Sequence, residues 1–421
     1  MIKMANKLNI LFVGCTHYPD NSGAVRRMIP LFREISKKGH KVFMIEDFNG
    51  AENRLLGRDK TAGNMQVQWI GSRWLWSKGG IFKVLSELII PFHVFFSARK
   101  NIKKFNPDLI HAFNPNISGG IAGWMLAKFH AKPRRLPLAL EMNDLVAQLG
   151  IMSGWTKEKS LKGRVYLFLQ DNFPKLADVI ITTPYIKKHL MKKSGIDADK
   201  IEIIQCGADT KKFDPAKISP EEISKIKHGL GLKDEKIILY CGSFNLEFGA
   251  ENILKIIPAI AKKYDNFKLV VVGPVAEDQK NKIEGMIKKL KISRYVIFAG
   301  RHPYDEMPRF ISIADVCVNP FPATELCRSG SPIKVFEYMA MEKPVVHPDL
   351  ESMEDVIIDG ENGFLYNADN PEEMADKILY LFNDPSAAEE IGRKAREAII
   401  KKYTWKALAE KMEVAYYKVL R

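Results

Sequence analysis

The sequence predicts an α/β protein in which a doubly wound parallel sheet occurs twice. Short apolar segments alternate with longer segments of helical periodicity along the whole chain, which is typical of repeated βαβ units. Several apolar segments show no alternation of polar and apolar residues, as expected for parallel strands buried on both faces. A chain of 421 residues is long enough to bury two full cores.

Twelve segments are predicted as strands. In the first half they are residues 8–13, 41–46, 67–71, 108–113, 136–141, 179–183 and 201–206. In the second half they are residues 236–241, 267–272, 295–299, 316–319 and 344–347. Helical periodicity fills the gaps, for example over 24–38, 252–263 and 278–290.

A boundary between two domains is predicted in residues 207–236, which combine glycine, proline and many charges. We therefore predict a first Rossmann-like domain over 1–210 and a second over 211–400. The tail, 401–421, carries apolar residues near helical spacing and is predicted as an amphipathic helix that could pack on either domain.

The composition excludes several classes of protein. Hydrophobic residues make up 46% of the chain and charged residues 27%, so a disordered or collagen-like chain is excluded. The five cysteines are widely spaced and form no C-x-x-C pair, which indicates buried thiols in a reducing compartment. No histidine pair has metal-binding spacing, and we expect no metal site.

The positive charge is concentrated in the first half of the chain. Residues 1–210 hold 32 Lys and Arg against 17 Asp and Glu, whereas residues 211–421 hold 32 against 33. A basic half favours an anionic partner, and a solvated lysine-rich surface is the alternative. No nucleic-acid-binding module is recognisable, so we expect no nucleic-acid partner.

Residues 74–105 mix large apolar residues with cations. Such a mix suits either an anionic membrane surface or a core helix with a basic outer face. No segment reaches 18 apolar residues. We predict a cytoplasmic protein, and attachment to the inner face of the cell membrane stays open.

The most informative motif is the segment 327–346, which begins CRSGSPIKVFEYMA. Ser331 is predicted as a helix N-cap with Pro332 at the first helical position. Lys334 would then lie in the first turn, with Glu337 on nearly the same face. A cation and helix N–H groups could hold a diphosphate while the glutamate binds a sugar hydroxyl pair, or the two residues could form a simple surface pair.

Short motifs that belong together by their order and spacing lie at residues 39–42, 107–111, 141–144, 204–213, 240–244, 271–274, 298–308, 314–320, 331–340, 360–365 and 403–405. Taken in this order, they resemble glycosyltransferase family 4 (group 1), whose members are retaining nucleotide-sugar enzymes. The resemblance implies the GT-B fold, with an acceptor domain, a donor domain and a cleft between them. It also implies that the closing helix crosses back to the first domain.

The resemblance implies roles for Gly23, for Glu337 and the start of its helix, and for the region of Asp144, and the other candidate site residues are our own predictions from their chemistry and position. Donor binding falls on Gly23, Ser243, Arg301, Arg328, Ser329, Gly330, Ser331 and Glu337; acceptor binding falls on Glu141 and Asp144; and catalytic roles fall on His111, Asp144 and Lys334. Gly23 belongs to a small-residue loop that would face the donor diphosphate or the acceptor, and Glu337 would bind the ribose. His111 could instead be structural, and Glu141 and Asp144 could merely cap a helix.

Four positions depart from the family pattern. Ser329 stands where a glutamate often holds the donor sugar, and Phe113 where a second histidine is common. The usual Arg and Lys of the phosphate clamp are Ser243 and Phe248. We therefore predict that Lys334, with Arg328 or Arg301, neutralises the diphosphate.

The resemblance thus implies a retaining hexosyltransferase (EC 2.4) that uses a UDP- or GDP-sugar, and we expect no metal cofactor. The acceptor would be a glycan or glycolipid, as in polysaccharide biosynthesis. Two alternatives are kept: a catalytically weak binding or scaffold subunit of the same fold, and a nucleotide-sugar 2-epimerase. The first would bind donor without turnover, and the second would convert donor alone into an epimer.

Overall fold

The computed structural model describes residues 6–14, 23–47, 64–70, 81–113, 117–129, 135–152, 154 and 156–420. The chain divides into two compact units. Unit 1 comprises Met1–Gln205, Ser329–Ser331 and Trp405–Arg421, and unit 2 comprises Cys206–Arg328 and Pro332–Thr404. The predicted boundary at residue 210 lies five residues beyond the first division.

Unit 1 contains a seven-stranded parallel sheet. Its strands are β1 (Asn9–Gly14), β2 (Lys41–Asp47), β3 (Met65–Ile70), β4 (Leu109–Phe113), β5 (Leu138–Met142), β6 (Val179–Thr182) and β7 (Ile201–Ile203). They are ordered β3-β2-β1-β4-β5-β6-β7. Nearly every described residue of β1, β4, β5 and β6 is buried, which explains their unbroken apolar sequences.

Helices cover both faces of this sheet. They are α1 (Gly23–Lys37), α2 (Ile81–Phe105), α3 (Ile117–Phe129), α4 (Val146–Met152), α5 (Leu161–Asn172) and α6 (Pro184–His189). The C-terminal helix, Trp405–Val419, also belongs to unit 1 and packs against α1. On the opposite face, α2 and α3 contribute to one apolar core with alternate residues of the strands.

Unit 2 contains a six-stranded parallel sheet. Its strands are β8 (Lys236–Cys241), β9 (Phe267–Val272), β10 (Val296–Gly300), β11 (Val316–Val318), β12 (Val345–Pro348) and β13 (Phe364–Tyr366). They are ordered β10-β9-β8-β11-β12-β13. After β8, the chain adds β9 and β10 on one side of this strand and then β11, β12 and β13 on the other side. The topological switch point therefore lies between β8 and β11.

The helices of unit 2 are α7 to α14. They are α7 (Pro220–Gly229), α8 (Ala250–Lys263), α9 (Lys280–Lys289), α10 (Met307–Ser312), α11 (Glu325–Ser329), α12 (Ile333–Ala340), α13 (Glu372–Asn383) and α14 (Pro385–Lys402); the C-terminal helix of unit 1 is α15. A capping box fixes the start of α7, because Ser219 accepts from the Glu222 amide and Glu222 accepts from the Ser219 amide.

The predicted α/β class with two doubly wound sheets is confirmed. All twelve predicted strands are present, and one further strand, β13, was not predicted. Both ends of the predicted helices 24–38, 252–263 and 278–290 lie within two residues of the ends of α1, α8 and α9. The thiols of the cysteines at 206, 241, 317 and 327 are buried, as predicted, and Cys15 lies outside the described residues.

Candidate functional site

At the switch point of unit 2, a lysine side chain lies over the end of β8. The Lys334 ammonium donates to the Tyr240 hydroxyl over 2.9 Å and lies 4.1 Å from the centre of that ring. The Tyr240 hydroxyl in turn donates to the carbonyl of Ser243 over 2.9 Å. Gly242 has φ +134°, and a Cβ there would lie 3.1 Å from the Lys334 Nζ. A glycine is therefore needed where the lysine crosses the strand end.

One turn deeper in α12, the carboxylate of Glu337 is buried. Its exposed fraction is only 3%, and the Tyr304 hydroxyl donates to it. The Lys212 ammonium lies 3.9 Å from the centre of the Tyr304 ring. Lys334 bonds to Tyr240 rather than to Glu337, so the interpretation of these two residues as a surface ion pair is wrong.

The arginines predicted to assist Lys334 differ in their surroundings. Arg328 donates to Glu351 over 2.8 Å, and both side chains are about one-third exposed. Arg301 is exposed, as is Ser243. The roles of all three in donor binding stay predictions.

The segment before α12 begins differently from the prediction. Pro332, not Ser331, occupies the N-cap position of α12, and no side chain caps the helix. Helix α11 ends at Ser329, Gly330 and Ser331 are not helical, and Pro332 has an extended backbone with φ −73° and ψ 109°, so the first helical residue is Ile333. Ser329 is buried, whereas Gly330 and Ser331 are half-buried. Lys334 still lies in the first turn.

Two buried polar side chains at the same sheet edge were missed by sequence reasoning. Asn319 follows β11, and its backbone N–H donates to the carbonyl of Val346. This bond places Asn319 beside His347 of β12. Among the described residues, the side-chain oxygen and nitrogen of Asn319 have no hydrogen-bond partner. The His347 Nε2 has none either. Burial lowers the pKa of His347 to about 4. A polar residue ending each of two neighbouring predicted strands was the available signal.

In unit 1, the predicted residues Glu141 and His111 belong to one buried network. Arg27 donates to Glu141 over 2.5 Å and to the carbonyl of Ile204 over 2.8 Å. Glu141 also contacts the His111 Nε2 at 3.0 Å, and the His111 Nδ1 contacts the Tyr416 hydroxyl at 2.7 Å.

These side chains are at most 2% exposed. Burial alone would raise the pKa of Glu141, but the Arg27 charge and the His111 hydrogen bond hold it at about 2. Both nitrogens of His111 are therefore engaged within unit 1. Its predicted contact with the donor sugar or the acceptor stays a prediction.

Asp144 lies two residues beyond β5, just before α4. It is half-buried, and burial raises the pKa of its carboxyl to about 6. A carboxyl with a pKa near neutrality can accept a hydrogen bond or a proton from a hydroxyl group. Gly23 begins α1 and is exposed, and none of the other described residues lies within 4 Å of the position that a Cβ would take. The rest of its predicted loop, residues 15–22, lies outside the described residues.

Within the described ranges, no group of three or more His, Cys, Asp or Glu residues is arranged to hold a metal ion. Among the helices described, none combines the length and the apolar character needed to cross a bilayer.

Comparison with known protein families gives two matches that together span most of the chain. The family Glycosyl transferases group 1 matches residues 222–398, and Glycosyltransferase Family 4 matches residues 21–212. The sulfoquinovosyl transferase SQD2 of Arabidopsis thaliana is 24% identical over 97% of this chain and 72% of its own length.

Solved structures share the fold. Sucrose-phosphate synthase of Thermosynechococcus elongatus has a TM-score of 0.76 and 19% identity, over 97% of this chain and 98% of its own. HepE of Anabaena, solved in complex with UDP-glucose, has a TM-score of 0.71 and 18% identity, over 97% and 99% of the two chains.

Proposed function

The chain belongs to the group 1 glycosyltransferases of family 4 and has the GT-B fold, and on that premise we propose that it is a retaining hexosyltransferase. The donor is a nucleoside-diphosphate sugar, with UDP as the first candidate base. HepE, which shares the fold, was crystallised with UDP-glucose. The acceptor is a glycan or glycolipid at the cytoplasmic face of the membrane, where the enzyme attaches peripherally.

The Lys334 ammonium at the switch point of unit 2 carries this proposal. Open α/β sheets bind their ligands at such points, beyond the carboxyl ends of the strands. The first turn of α12 has backbone N–H groups without an acceptor inside the helix, and they attract anions. Lys334 adds a full positive charge there, and the buried carboxylate of Glu337 lies one turn deeper to accept from a ribose diol.

The proposed reaction exchanges one bond at the anomeric carbon. The bond from this carbon to the β-phosphate oxygen breaks, and a bond to the acceptor oxygen forms on the same face of the sugar. The acceptor proton ends on the departing diphosphate. Negative charge grows on the leaving oxygens, and the ammonium of Lys334 stabilises it there. Arg328 and Arg301 are the further cations of unit 2 that we assign to this role.

Acceptor positioning is assigned to unit 1. Asp144 accepts a hydrogen bond from the reacting hydroxyl, because it is half-buried and follows the carboxyl end of β5. Glu141 holds the neighbouring backbone in place through its bonds to Arg27, His111 and Asn143. The side-chain amide of Asn143 donates to Glu141 over 2.7 Å.

No metal is required in this scheme, since Lys334 and the N–H groups of α12 supply the positive charge that a divalent cation would otherwise bring. Assays in excess chelator test this point. Turnover should be unchanged, and a complete loss that Mg²⁺ restores would contradict it.

A thermal-shift screen against UDP-, GDP- and ADP-linked hexoses tests the donor assignment. A donor that binds the folded protein raises the melting temperature by mass action. We expect a shift with one nucleotide class, followed by transfer or slow hydrolysis of that donor. No shift with any of these compounds would refute the proposal.

The two alternatives give other results in the same experiment. Donor binding without turnover on any glycan or glycolipid acceptor would identify a binding or scaffold subunit. Conversion of the donor alone into an epimer would identify a 2-epimerase.

A further inference from the structure

Exposed apolar side chains are unevenly distributed over the protein. Among the described residues, fifteen large apolar side chains are exposed, and ten of them lie between β3 and β7 of unit 1. These ten are Ile89, Phe92, Phe96, Phe129, Leu149, Leu161, Val165, Phe168, Leu176 and Met191. Unit 2 accounts for only four, so exposure of apolar surface is concentrated in one part of unit 1.

The helices that carry these residues cover a single face of the sheet. From β3 to β7, each crossover runs in the same direction along the strand order. Right-handed crossovers that run in one direction place their helices on one face. The packing agrees, because α3 contacts both α2 and α5, and α4 contacts α5. We call α2, α3 and α5 the outer helix layer.

Among the described side chains of α2, five exposed residues form one stripe. Ile89, Phe92, Phe96, Arg99 and Lys103 are all exposed and recur every three or four residues. Ile90 and Val94, on the other side of the helix, are buried in the core. The interpretation of this segment as a core helix with a basic outer face therefore describes only part of α2. The exposed face is apolar from Ile89 to Phe96 and basic from Arg99 to Lys103.

Helix α5 presents a second stripe with the same character. Leu161, Val165 and Phe168 are exposed, and the exposed fractions of Leu161 and Phe168 reach 81% and 64%. Only Gly163 and Gln170 of this helix are buried. Arg164 and Lys159 are exposed beside the stripe. An isolated Leu or Phe on a surface is ordinary, but a helix that turns its apolar side outward indicates a partner.

The outer helix layer carries an excess of positive charge. Its three helices contain eight Lys and Arg residues against two acidic residues, Glu87 and Asp171. Asp171 is paired with His189 over 2.9 Å. At the end of α3, the Lys128 ammonium lies 5.1 Å from the Trp124 ring centre and 5.5 Å from that of Phe129.

We propose that the outer helix layer is a docking surface for an anionic phospholipid bilayer. The phenylalanines and Leu161 enter the headgroup region, and the cations contact lipid phosphates. A uniformly anionic surface fits a rim of cations better than a protein partner of mixed charge does. This inference deepens the proposed function, because it names the surface that brings the enzyme to a lipid-linked acceptor.

Vesicle flotation of the full chain tests the proposal without nucleotide sugar, so its outcome is independent of donor chemistry. We expect binding to phosphatidylcholine vesicles that contain phosphatidylglycerol, weaker binding to pure phosphatidylcholine, and weakening by salt. The pair Phe96→Ser with Phe168→Ser should lower partitioning about tenfold or more. The pair Arg99→Gln with Arg164→Gln should lower it about fivefold per cation removed.

The matched control is Ile358→Ser with Ile400→Ser. Both isoleucines are 51% exposed in unit 2, and Ile400 is followed by two lysines. This pair should bind vesicles like the wild type, and all variants should bind donor and melt like the wild type. Equal vesicle binding by the control and Phe96/Phe168 variants would overturn the proposal. So would a concentration-dependent dimer that the Phe96/Phe168 pair abolishes, since the surface would then join two copies.

Discussion

Replacing Asp144 by asparagine should make unit 1 more stable at neutral pH. The pKa of this carboxyl is raised from 3.8 to about 6 by burial. Each unit of difference corresponds to about 1.4 kcal/mol, so ionisation in the folded state costs up to about 3 kcal/mol. Asp144 is half-buried, and water therefore screens part of that cost. We expect a gain of about 1–2 kcal/mol for Asp144→Asn.

The gain should depend on pH in a definite direction. A carboxyl whose pKa is higher in the folded state destabilises that state once the unfolded group ionises. The penalty is absent below pH 3.8, grows until about pH 6 and is constant above it. The advantage of Asp144→Asn should therefore fall by about half between pH 7.5 and pH 5.

Tryptophan fluorescence during urea unfolding measures this effect in unit 1 alone. All six tryptophans lie in the segments of unit 1, at positions 69, 74, 76, 124, 155 and 405. Asp197→Asn is the matched control, because Asp197 is exposed in the same unit. Lower stability of Asp144→Asn at pH 7.5, or an equal gain at both pH values, would refute the reasoning.

The same variant should lose transfer activity. If Asp144 orients the acceptor hydroxyl, its amide analogue should slow transfer by about 10²-fold while donor binding is retained. A substitution that raises stability and lowers turnover is typical of a functional residue held in an unfavourable environment. Unchanged turnover would leave Asp144 without a role in the reaction.

Further outcomes follow from two buried titratable groups, Glu141 and His347. Glu141→Gln should destabilise unit 1 by about 3–5 kcal/mol in urea unfolding at pH 7.5, because it leaves the buried Arg27 charge without its partner; a change below 1 kcal/mol would contradict this. In the wild type the depressed pKa of Glu141, about 2, stabilises the folded state above pH 4.5, and this contribution should disappear as the pH falls from 4.5 to 2. The pKa of His347, lowered from 6.5 to about 4, predicts that unit 2 loses up to about 3 kcal/mol as the pH falls through this window. His347→Gln should reduce that loss of stability, as measured by unfolding followed by circular dichroism. An identical pH dependence of the wild type and the variant would show that His347 does not cause the loss.

The strands were predictable because burial on both faces leaves a local signature. Unbroken apolar runs such as residues 236–241 and 267–272 could be recognised without knowledge of their neighbours. Strand β13 has only three residues and directly follows Gly363, so its sequence carries too few positions for a pattern. Its place in the sheet is fixed by pairing with β12, which local sequence does not report.

In unit 2, the geometry of the candidate site was predictable where a single helix contains it. Lys334 and Glu337 are three residues apart, so helical geometry places them on one face. The pairing of Arg27 with Glu141 joins residues 114 positions apart, and periodicity identifies no such partner. Asn319 and His347 were missed for a related reason, because tertiary packing decides that the Asn319 side-chain amide and the His347 Nε2 are buried without a hydrogen-bond partner among the described residues.

Calorimetric titration of Lys334→Met with UDP and with uridine tests the central assignment most directly. An ionic hydrogen bond to phosphate is worth about 1.5–3 kcal/mol, so the variant should bind UDP about 10- to 100-fold more weakly and uridine about as well as the wild type does. Lys377→Ala is the control, since Lys377 also lies over an aromatic ring, that of Phe364, at 4.8 Å. Equal affinity of the wild type and Lys334→Met for UDP would show that this lysine does not hold the diphosphate.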